Sequence, residues 1–396
     1  MRDADVVVIG GGAAGLSLAR RLTAPRMRAR RPLTVALVEA PPGALRPGPR
    51  TWCYWEAAGG EYDGAVRADW GRLRVTGPDG AAVVRDPAPL RYKMIRSPDF
   101  ERWADGELAR SGCLRLEAVV ESVQDVPGGA EVRGHDARGA PVRLRARWVF
   151  DSRPPGRPGP ARATLLQHFR GWFVRTARPV FDPGVADLMD FRTPQPRHGL
   201  AFGYVLPLGP REALVEYTEF SAAVLGGAAY DRALGHYVTE VLDVGDFEVT
   251  AVEEGVIAMT DARFPRRTGR SVFPIGVAGG TTRPATGYSF AAAQRQSRAI
   301  AAALAEGRTP LAPAPHAARA RAMDAVLLRA LDTGRVDGAA LFTGLFGKVP
   351  APRLLRFLDG RTNVLEDLAV GLRTPARPML RTALELPFLP RRPAGS

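Results

Sequence analysis

Apolar positions recur along this chain in a few patterns, and each predicts an element. Val6 to Ile9 form a short unbroken apolar run, after which Leu16, Leu18, Ala19 and Leu22 follow at helical spacing. That is a buried strand feeding an amphipathic helix. Leu33 to Val38 read as a second buried strand ending on Glu39, and Asp99 to Ala109 as a helix. Ala118 to Val126, Ala130 to Gly134 and Val142 to Phe150 are short runs separated by Pro127-Gly128-Gly129 and Gly139, the pattern of a β-meander. Residues 271–304 repeat the early order: an apolar strand, a Gly/Thr/Pro loop, then a long Ala-rich helix.

One strand-like run carries carboxylates. Residues 213–221 read ALVEYTEFS. Strands alternate faces, so Glu216 and Thr218 share one side while Val215 and Tyr217 share the other. Either Glu216 faces water or it is an acid held in an apolar wall. Glu219, three residues on, points to the opposite face and is expected to be exposed.

The first loop carries more chemistry. Gly10, Gly12 and Gly15 stand in G-x-G-x-x-G register between strand and helix. The first makes the tight turn, the second admits a pyrophosphate to the backbone, and the third lets helix and strand pack closely. The helix N-terminus then stabilises the phosphate charge. Glu39 follows 24 residues after Gly15, where an acidic side chain suits ribose hydroxyls. FAD and NAD both satisfy this half. The late loop presents Gly279, Gly280, Pro284, Thr286, Gly287 and Tyr288 just ahead of its helix, so backbone N–H groups there can meet a flavin pyrophosphate or ribityl chain. A glycine triplet, a meander and a late second glycine loop together look like the glutathione-reductase-type FAD fold, although the Gly-Asp common on that last strand is absent.

The second loop, G-x-x-x-P-x-T-G-Y, resembles that of the FAD-dependent carotenoid lycopene cyclases, which also lack the Asp. Other stretches agree in order: Arg50-Thr51-Trp52-Cys53-Tyr54-Trp55-Glu56, Tyr92-Lys93-Met94-Ile95, Val149-Phe150-Asp151-Ser152-Arg153, Met189-Asp190-Phe191-Arg192, the ALVEYT strand, and Glu254 to Asp261. The likeness runs through about the first three quarters of the chain, and the tail shares only hydrophobic-basic character. The fold it implies is α/β: a discontinuous FAD-binding Rossmann domain with β-meander (1–90, 91–155 and 252–305), an inserted β-rich substrate domain with a mixed or antiparallel sheet (156–251), and a helical basic C-terminal region (306–396). Asp151 joins the expected cofactor contacts.

The activity implied is lycopene β-cyclisation, from lycopene through γ-carotene to β-carotene. Reduced FAD would be a non-redox cofactor and NAD(P)H the electron source. The reaction adds a proton to a terminal alkene, closes a six-membered ring through a tertiary carbocation and releases a ring proton, with no net electron transfer. It needs an acid, a dry apolar cavity, groups that stabilise a cation, and a base. A Glu with an ordinary pKa near roughly 4.3 is ionised at neutral pH, but burial against hydrocarbon holds its proton in place. Glu216 aligns with the acidic residue of the family's strand and is the expected general acid. Asp190 and Asp261 sit in shared motifs and are candidates for base, acid or flavin contact; each also suits a plain loop-capping role. Trp52, Tyr54, Trp55, Phe202, Tyr204, Tyr217 and Tyr288 are candidates to face the cation.

Composition narrows the partners. The chain has 396 residues and 45% apolar content, which excludes a disordered chain and predicts more than one domain. Its two cysteines, Cys53 and Cys113, offer neither a disulfide framework nor metal-ligand spacing. The formal charge is +14, carried almost wholly by Arg. No aromatic-interleaved basic motif or helix-turn-helix pattern points to nucleic acid, whereas a basic surface suits anionic lipid. A substrate of about 40 carbons, at roughly 0.8 kcal/mol per buried carbon, would cost on the order of 30 kcal/mol to bring into water, so the enzyme must draw it from a bilayer. The start Met1-Arg2-Asp3-Ala4-Asp5 leaves no room for an export signal, and no long uncharged apolar stretch spans a membrane. The expected location is cytoplasmic, peripheral at the inner face of the cell membrane. Leu354 to Leu358, then an Asn363/Glu366 helix start followed by Leu365, Leu368, Ala369 and Leu372, are flanked by Arg353, Arg356, Arg361, Arg373, Arg377 and Arg381 and suit a headgroup boundary or an ordinary amphipathic surface. The alternative activity on the same fold is a flavin-dependent isoprenoid double-bond reductase of the geranylgeranyl reductase type, in which Glu216 would be incidental. A flavin-binding carotenoid carrier would hold pigment without turnover.

Overall fold

The computed structural model describes residues 3–25, 27, 32–46, 48–154 and 156–393. Met1 and Arg2, on which the export-signal expectation partly rests, lie outside them. In chain order the first third is β1 (Ala4–Ile9), α1 (Ala13–Thr23), β2 (Val35–Glu39), β3 (Thr51–Ala57), β4 (Val66–Trp70), β5 (Arg72–Thr76), β6 (Ala82–Arg85), β7 (Leu90–Arg96) and α2 (Ser97–Leu108). The middle adds β8 (Leu114–Glu117), β9 (Val119–Val126), β10 (Gly129–His135), β11 (Pro141–Asp151), β12 (Thr164–Thr176), β13 (Val185–Asp190), β14 (Leu200–Gly209), β15 (Glu212–Ser221), α3 (Gly227–His236) and β16 (Phe247–Thr260). The last third contains β17 (Val272–Pro274), α4 (Phe290–Ala305), α5 (Ala318–Asp332), α6 (Gly338–Lys348), α7 (Ala351–Leu358), α8 (Val364–Gly371) and α9 (Ala376–Glu385).

The first sheet has the order β8-β2-β1-β11-β10-β9, with β17 also beside β11. The strands β8, β2, β1, β11 and β17 run parallel, and β1 and β2 are buried at every position, as unbroken Val/Ile/Leu runs require. The meander shares a strand with the parallel sheet and packs with the face turned away from the helices, Val132 and Leu144 clustering with Val7 and Ile9. Its third strand, β11, pairs with β10 through its first half and with β1 and β17 through its second. This is the expected glutathione-reductase-type FAD fold, with α1 packed on α4. The two glycine loops therefore leave the carboxyl ends of β1 and β17, the parallel strands on either side of β11, where ligands of such sheets bind.

The second sheet has the order β16-β12-β15-β14-β13-β5-β6 and is antiparallel except where β13 meets β5. It crosses the expected boundaries in two places. β5 and β6, from within the segment assigned to the flavin domain, extend its edge, and β16 runs on to Thr260 rather than ending near 251. The edge of β13 has backbone groups that need partners, and Leu73 opposite Ala186 supplies one from more than a hundred residues upstream, which no local pattern reveals. A small sheet, β3-β7-β4, lies between the two large ones.

Both faces of the second sheet are covered. Leu214, Phe220, Phe202 and Leu200 pack with Leu328, Leu331, Phe342 and Leu354 of α5 to α7. On the other face Val215 and Tyr217 pack with Tyr230 and Leu234 of α3. The C-terminal region is helical, as expected, and α8 opens with the anticipated Asn363/Glu366 capping box. Among the described residues, no helix is long and apolar enough to cross a membrane.

Candidate active site

The cradle at the first sheet follows from its glycines. Gly10 takes φ +95°, open to glycine at no steric cost. A Cβ on Gly15 would lie 1.9 Å from the Gly10 carbonyl oxygen, whereas one on Gly12, at the start of α1, would meet open space. The backbone at Gly12 is thus free for close approach by a ligand. The Oε1 of Glu39 lies over Gly11, and its Oε2 accepts from Arg115 Nη2 at 2.6 Å. Ser152 Oγ donates to the Ile9 carbonyl at 2.7 Å, bracing the turn, while Asp151 beside it is held by Arg153 N and Nε, both at 3.0 Å.

The second loop closes onto the first. A Cβ on Gly276 would lie 2.8 Å from the Ala14 Cβ, so the chain after β17 passes against the opening turn of α1. Gly280 and Gly287 both adopt the left-handed region. Among the described residues, the buried hydroxyls of Thr281 and Thr286 and the Oε1 of Gln167 have no hydrogen-bond partner. Buried polar atoms are normally satisfied. Orphans at this loop, with open backbone at Gly12 and a carboxylate at Glu39, fit a dinucleotide whose phosphates and flavin would supply the missing partners. Two features hold the loop that the sequence did not signal. His316 donates from Nε2 to the Thr281 carbonyl at 3.0 Å, with burial pulling its pKa down to about 4. Arg283 pairs with Asp324 at 2.9 Å, both buried.

Glu216 lies on the inner face of the second sheet and is 8% exposed. Gly171 of β12 pairs with Glu216 on one side and Glu253 of β16 on the other, while Tyr204 of β14 pairs with Glu216; directly paired residues project to the same face. Burial pushes Glu216 up to about 8, opposed by the Thr218 hydroxyl, which donates to Oε1 at 2.6 Å, and assisted by the charge of Glu253. Glu253 accepts from Thr51 N and Oγ1 of β3, both at 2.6 Å, tying the small sheet over this face. Alternation along β3 then sends Cys53 and Trp55 toward Glu216 and turns Trp52 and Tyr54 away to Phe290. The Tyr92 hydroxyl is 2.7 Å from that of Tyr204 and 2.6 Å from that of Tyr288, and the Trp55 and Tyr288 rings lie 4.8 Å apart. Burial pushes the Cys53 thiol up to about 12, so it is inert here. A carboxyl group with a pKa raised by burial thus faces a wall of phenols and an indole that ends at the second glycine loop.

Other candidates lie elsewhere. Asp190 is on the opposite face, held by Arg192 N at 3.1 Å, Arg192 Nη2 at 2.6 Å and the Tyr237 hydroxyl at 3.0 Å. Asp261 accepts from the backbone N–H of Arg162 at 2.7 Å and of Ala163 at 3.1 Å, and pairs with Arg391. Both are saturated by the protein and neither shares the space in front of Glu216. Tyr217 faces α3 and donates to Glu219 at 2.9 Å. Glu219 corrects an expectation: it does take the opposite face, but α3 covers that face, so it is buried and its pKa is raised by that burial. The sequence reading missed Gly171, Glu253 and Tyr92; only Tyr92 carried a signal, in its shared YKMI motif. A cleft of about 420 Å³ lies farther along the inner face beside Phe173 and Ala251, but Arg67, Arg96, Asp99 and Arg102 line it, which is unsuited to hydrocarbon.

These elements define the flavoprotein class of two-sheet enzymes. Among solved structures, the chain is similar to a geranylgeranyl bacteriochlorophyll reductase-like protein from Thermoplasma acidophilum, with TM-score 0.63, 14% identity, and 97% of this chain and 99% of that one covered. It is similar to a flavoprotein/dehydrogenase from Cytophaga hutchinsonii, with TM-score 0.63, 12% identity and coverage of 97% and 99%. A third likeness is to aklavinone-11 hydroxylase in complex with FAD and aklavinone, with TM-score 0.56, 20% identity, and 77% of this chain and 62% of that one covered. A search of curated protein sequences finds no match. The family model described as lycopene cyclase protein matches residues 5–384, and the chain belongs to the lycopene cyclase family. The likeness therefore extends well into the tail, beyond the three quarters visible in the motifs.

Proposed function

We propose that this enzyme is a lycopene β-cyclase in which Glu216 is the general acid. The observation that carries the reading is a single carboxyl group, pushed up to about 8 by burial, facing an aromatic wall at the flavin-loop end of the inner face. At neutral pH most of it is protonated, so the acid is ready when substrate arrives. It donates to the terminal double bond of one lycopene end. The faces of Trp55, Tyr204 and Tyr288 stabilise the resulting tertiary cation. The neighbouring double bond closes the ring, and the carboxylate left on Glu216 takes the released ring proton, so no proton or electron is consumed. The Thr218 hydroxyl orients the carboxyl, and the hydroxyls of Tyr92, Tyr204 and Tyr288 satisfy one another, which keeps them from trapping the cation as water would.

The residues fit FAD: Gly10, Gly12, Gly15 and Glu39 would hold its adenosine half and pyrophosphate, and Gly279, Gly280, Pro284, Thr286 and Gly287 its flavin half. Bound and reduced by NAD(P)H, it would supply negative charge near the cation without net redox. The proposed substrate and product are lipids, which supports a working position at the inner face of the cell membrane.

The test is expression in a bacterium that accumulates lycopene, with the pigments separated by chromatography and a Glu216→Gln strain alongside. Expected are β-carotene or one-ring γ-carotene from the parent and unchanged lycopene from the folded variant. Unchanged lycopene from a folded, FAD-loaded parent overturns the reading in favour of isoprenoid double-bond reduction. Cyclised product from the variant removes Glu216 as the acid.

A further inference from the structure

Helices α8 and α9 leave an outer surface that the rest of the chain does not cover. Val364, Leu365, Leu368 and Leu372 are all exposed, Leu365 to 77%. On α9 and the turn after it Leu380, Leu384 and Phe388 recur every four residues, exposed to 62%, 73% and 88%. The undersides of both helices are fastened: Val370 and Thr382 are buried, Asp367 pairs with Arg319, and Glu385 with Arg329 and Arg335. This is therefore an anchored surface and not a loose tail. Exposed apolar side chains in this number and of this size mark an interaction site.

The charge beside it selects the occupant. Arg373, Arg377 and Arg381 follow one another at intervals of four, exposed, along the same segment. Among the described residues none of them forms an ion pair, while the carboxylates of residues 351–393, Asp359, Glu366, Asp367 and Glu385, are each paired with another arginine. Two copies stacked face to face through a two-fold axis would bring these arginine rows together without counter-charge. A bilayer with anionic headgroups meets both needs, accepting leucine and phenylalanine below the headgroups and arginine among them.

We infer that the outer face of α8, α9 and the Leu386–Phe388 turn docks the protein on an anionic lipid bilayer. The surface stands on its own geometry, but its use rests on the lipid-substrate reading. Asp359, at the end of α7 and five residues before α8, lines the small cavity that also touches Cys53, Trp55 and Tyr288. The chain that leads into α8 thus passes beside the aromatic wall of the proposed site.

The test is co-sedimentation of the full chain with phosphatidylcholine vesicles and with vesicles containing about one-third phosphatidylglycerol. The parent should pellet with the anionic vesicles at least about tenfold more than with neutral ones, and less at high salt. Leu380→Ser/Leu384→Ser/Phe388→Ser should lower that binding by about tenfold or more while keeping the parent's circular dichroism and melting temperature. Arg373→Gln/Arg377→Gln/Arg381→Gln, which touches only exposed side chains, should remove the preference for anionic lipid, and decides the matter if the first variant does not fold. Failure of the parent to pellet with either vesicle, or binding by both variants equal to the parent's, overturns the proposal. So does a parent dimer in solution that becomes monomeric in the leucine variant, which would assign the face to a second copy. No carotenoid is present in this assay, so its outcome is independent of the pigment test for cyclisation.

Discussion

Glu216 and Glu253 stand on either side of Gly171, each one strand away and all three on the inner face of the sheet. The two acids are not equivalent. Glu253 is engaged by two donors from Thr51, whereas Glu216 accepts a hydrogen bond from the Thr218 hydroxyl. The first is an anchor between sheets and the second is left to carry a proton. Glu253→Gln should therefore keep cyclisation detectable but lower it, by roughly tenfold, because β3 with Trp55 loses its tie. Glu216→Gln should lower it by more than about a thousandfold. Product formation by each purified, folded variant, read side by side, checks the assignment.

The acid sets a pH dependence. In the proposed reaction only protonated Glu216 starts the cyclisation, and burial pushes its pKa up to about 8. Turnover with reduced FAD should be flat on the acid side of that value and fall about tenfold per pH unit above it. A rate that instead rises through this range would mean that the essential group is a base.

Stability should move with the same proton. In the unfolded chain Glu216 returns to an ordinary value near 4.5, so between there and about 8 the unfolded state has lost the proton that the folded state keeps. The unfolded state then binds fewer protons, and stability falls as pH rises through that window. The span corresponds to a penalty on the order of a few kcal/mol at its upper end. Glu216→Gln has no proton to lose. Its melting temperature should exceed the parent's at pH 8 and approach it at pH 5, measured by calorimetry.

Asp190 and Asp261 should behave as structural acids. Asp190→Asn weakens the pairing with Arg192 and Asp261→Asn that with Arg391, at a cost of about 2 kcal/mol each. Both variants should melt earlier than the parent while each folded molecule still cyclises at close to the parent rate. Loss of turnover without loss of stability would return either residue to the reaction.

These outcomes show where the sequence was legible. The glycine loops could be read because their spacing is dictated by backbone geometry and by phosphate. The Asn363/Glu366 cap could be read because its contacts lie within four residues. Glu216 was visible as a carboxylate in an apolar run. Its partners were not: Gly171, Glu216 and Glu253 meet only through the register of three strands drawn from residues 164–260, and nothing local states that register. Glu219 was misread for a related reason. Alternation assigns its face correctly, but whether a face is wet depends on α3, which follows the strand and folds back over it. Asp190 and Asp261 share motifs with the family, and a motif does not distinguish an acid that reacts from one that holds two strands together.

Gly171 offers the most selective test of the pocket. A Cβ there would lie 2.8 Å from Leu214 Cδ1 and 3.4 Å from Glu216 Cβ. The Leu214 methyl is the far end of a flexible side chain and can yield, so Gly171→Ala should change stability by less than about 1 kcal/mol. A valine adds two methyl groups to the space between Glu216 and Glu253, forcing the Glu216 side chain away from the aromatic wall at a cost of about 1–3 kcal/mol. Cyclised product should thus decline from glycine to alanine to valine more steeply than melting temperature does, with FAD retained throughout. If pigment yield simply tracks stability, the space beside Gly171 is ordinary core. If it falls while the fold holds, that space is where the terminal double bond meets the acid.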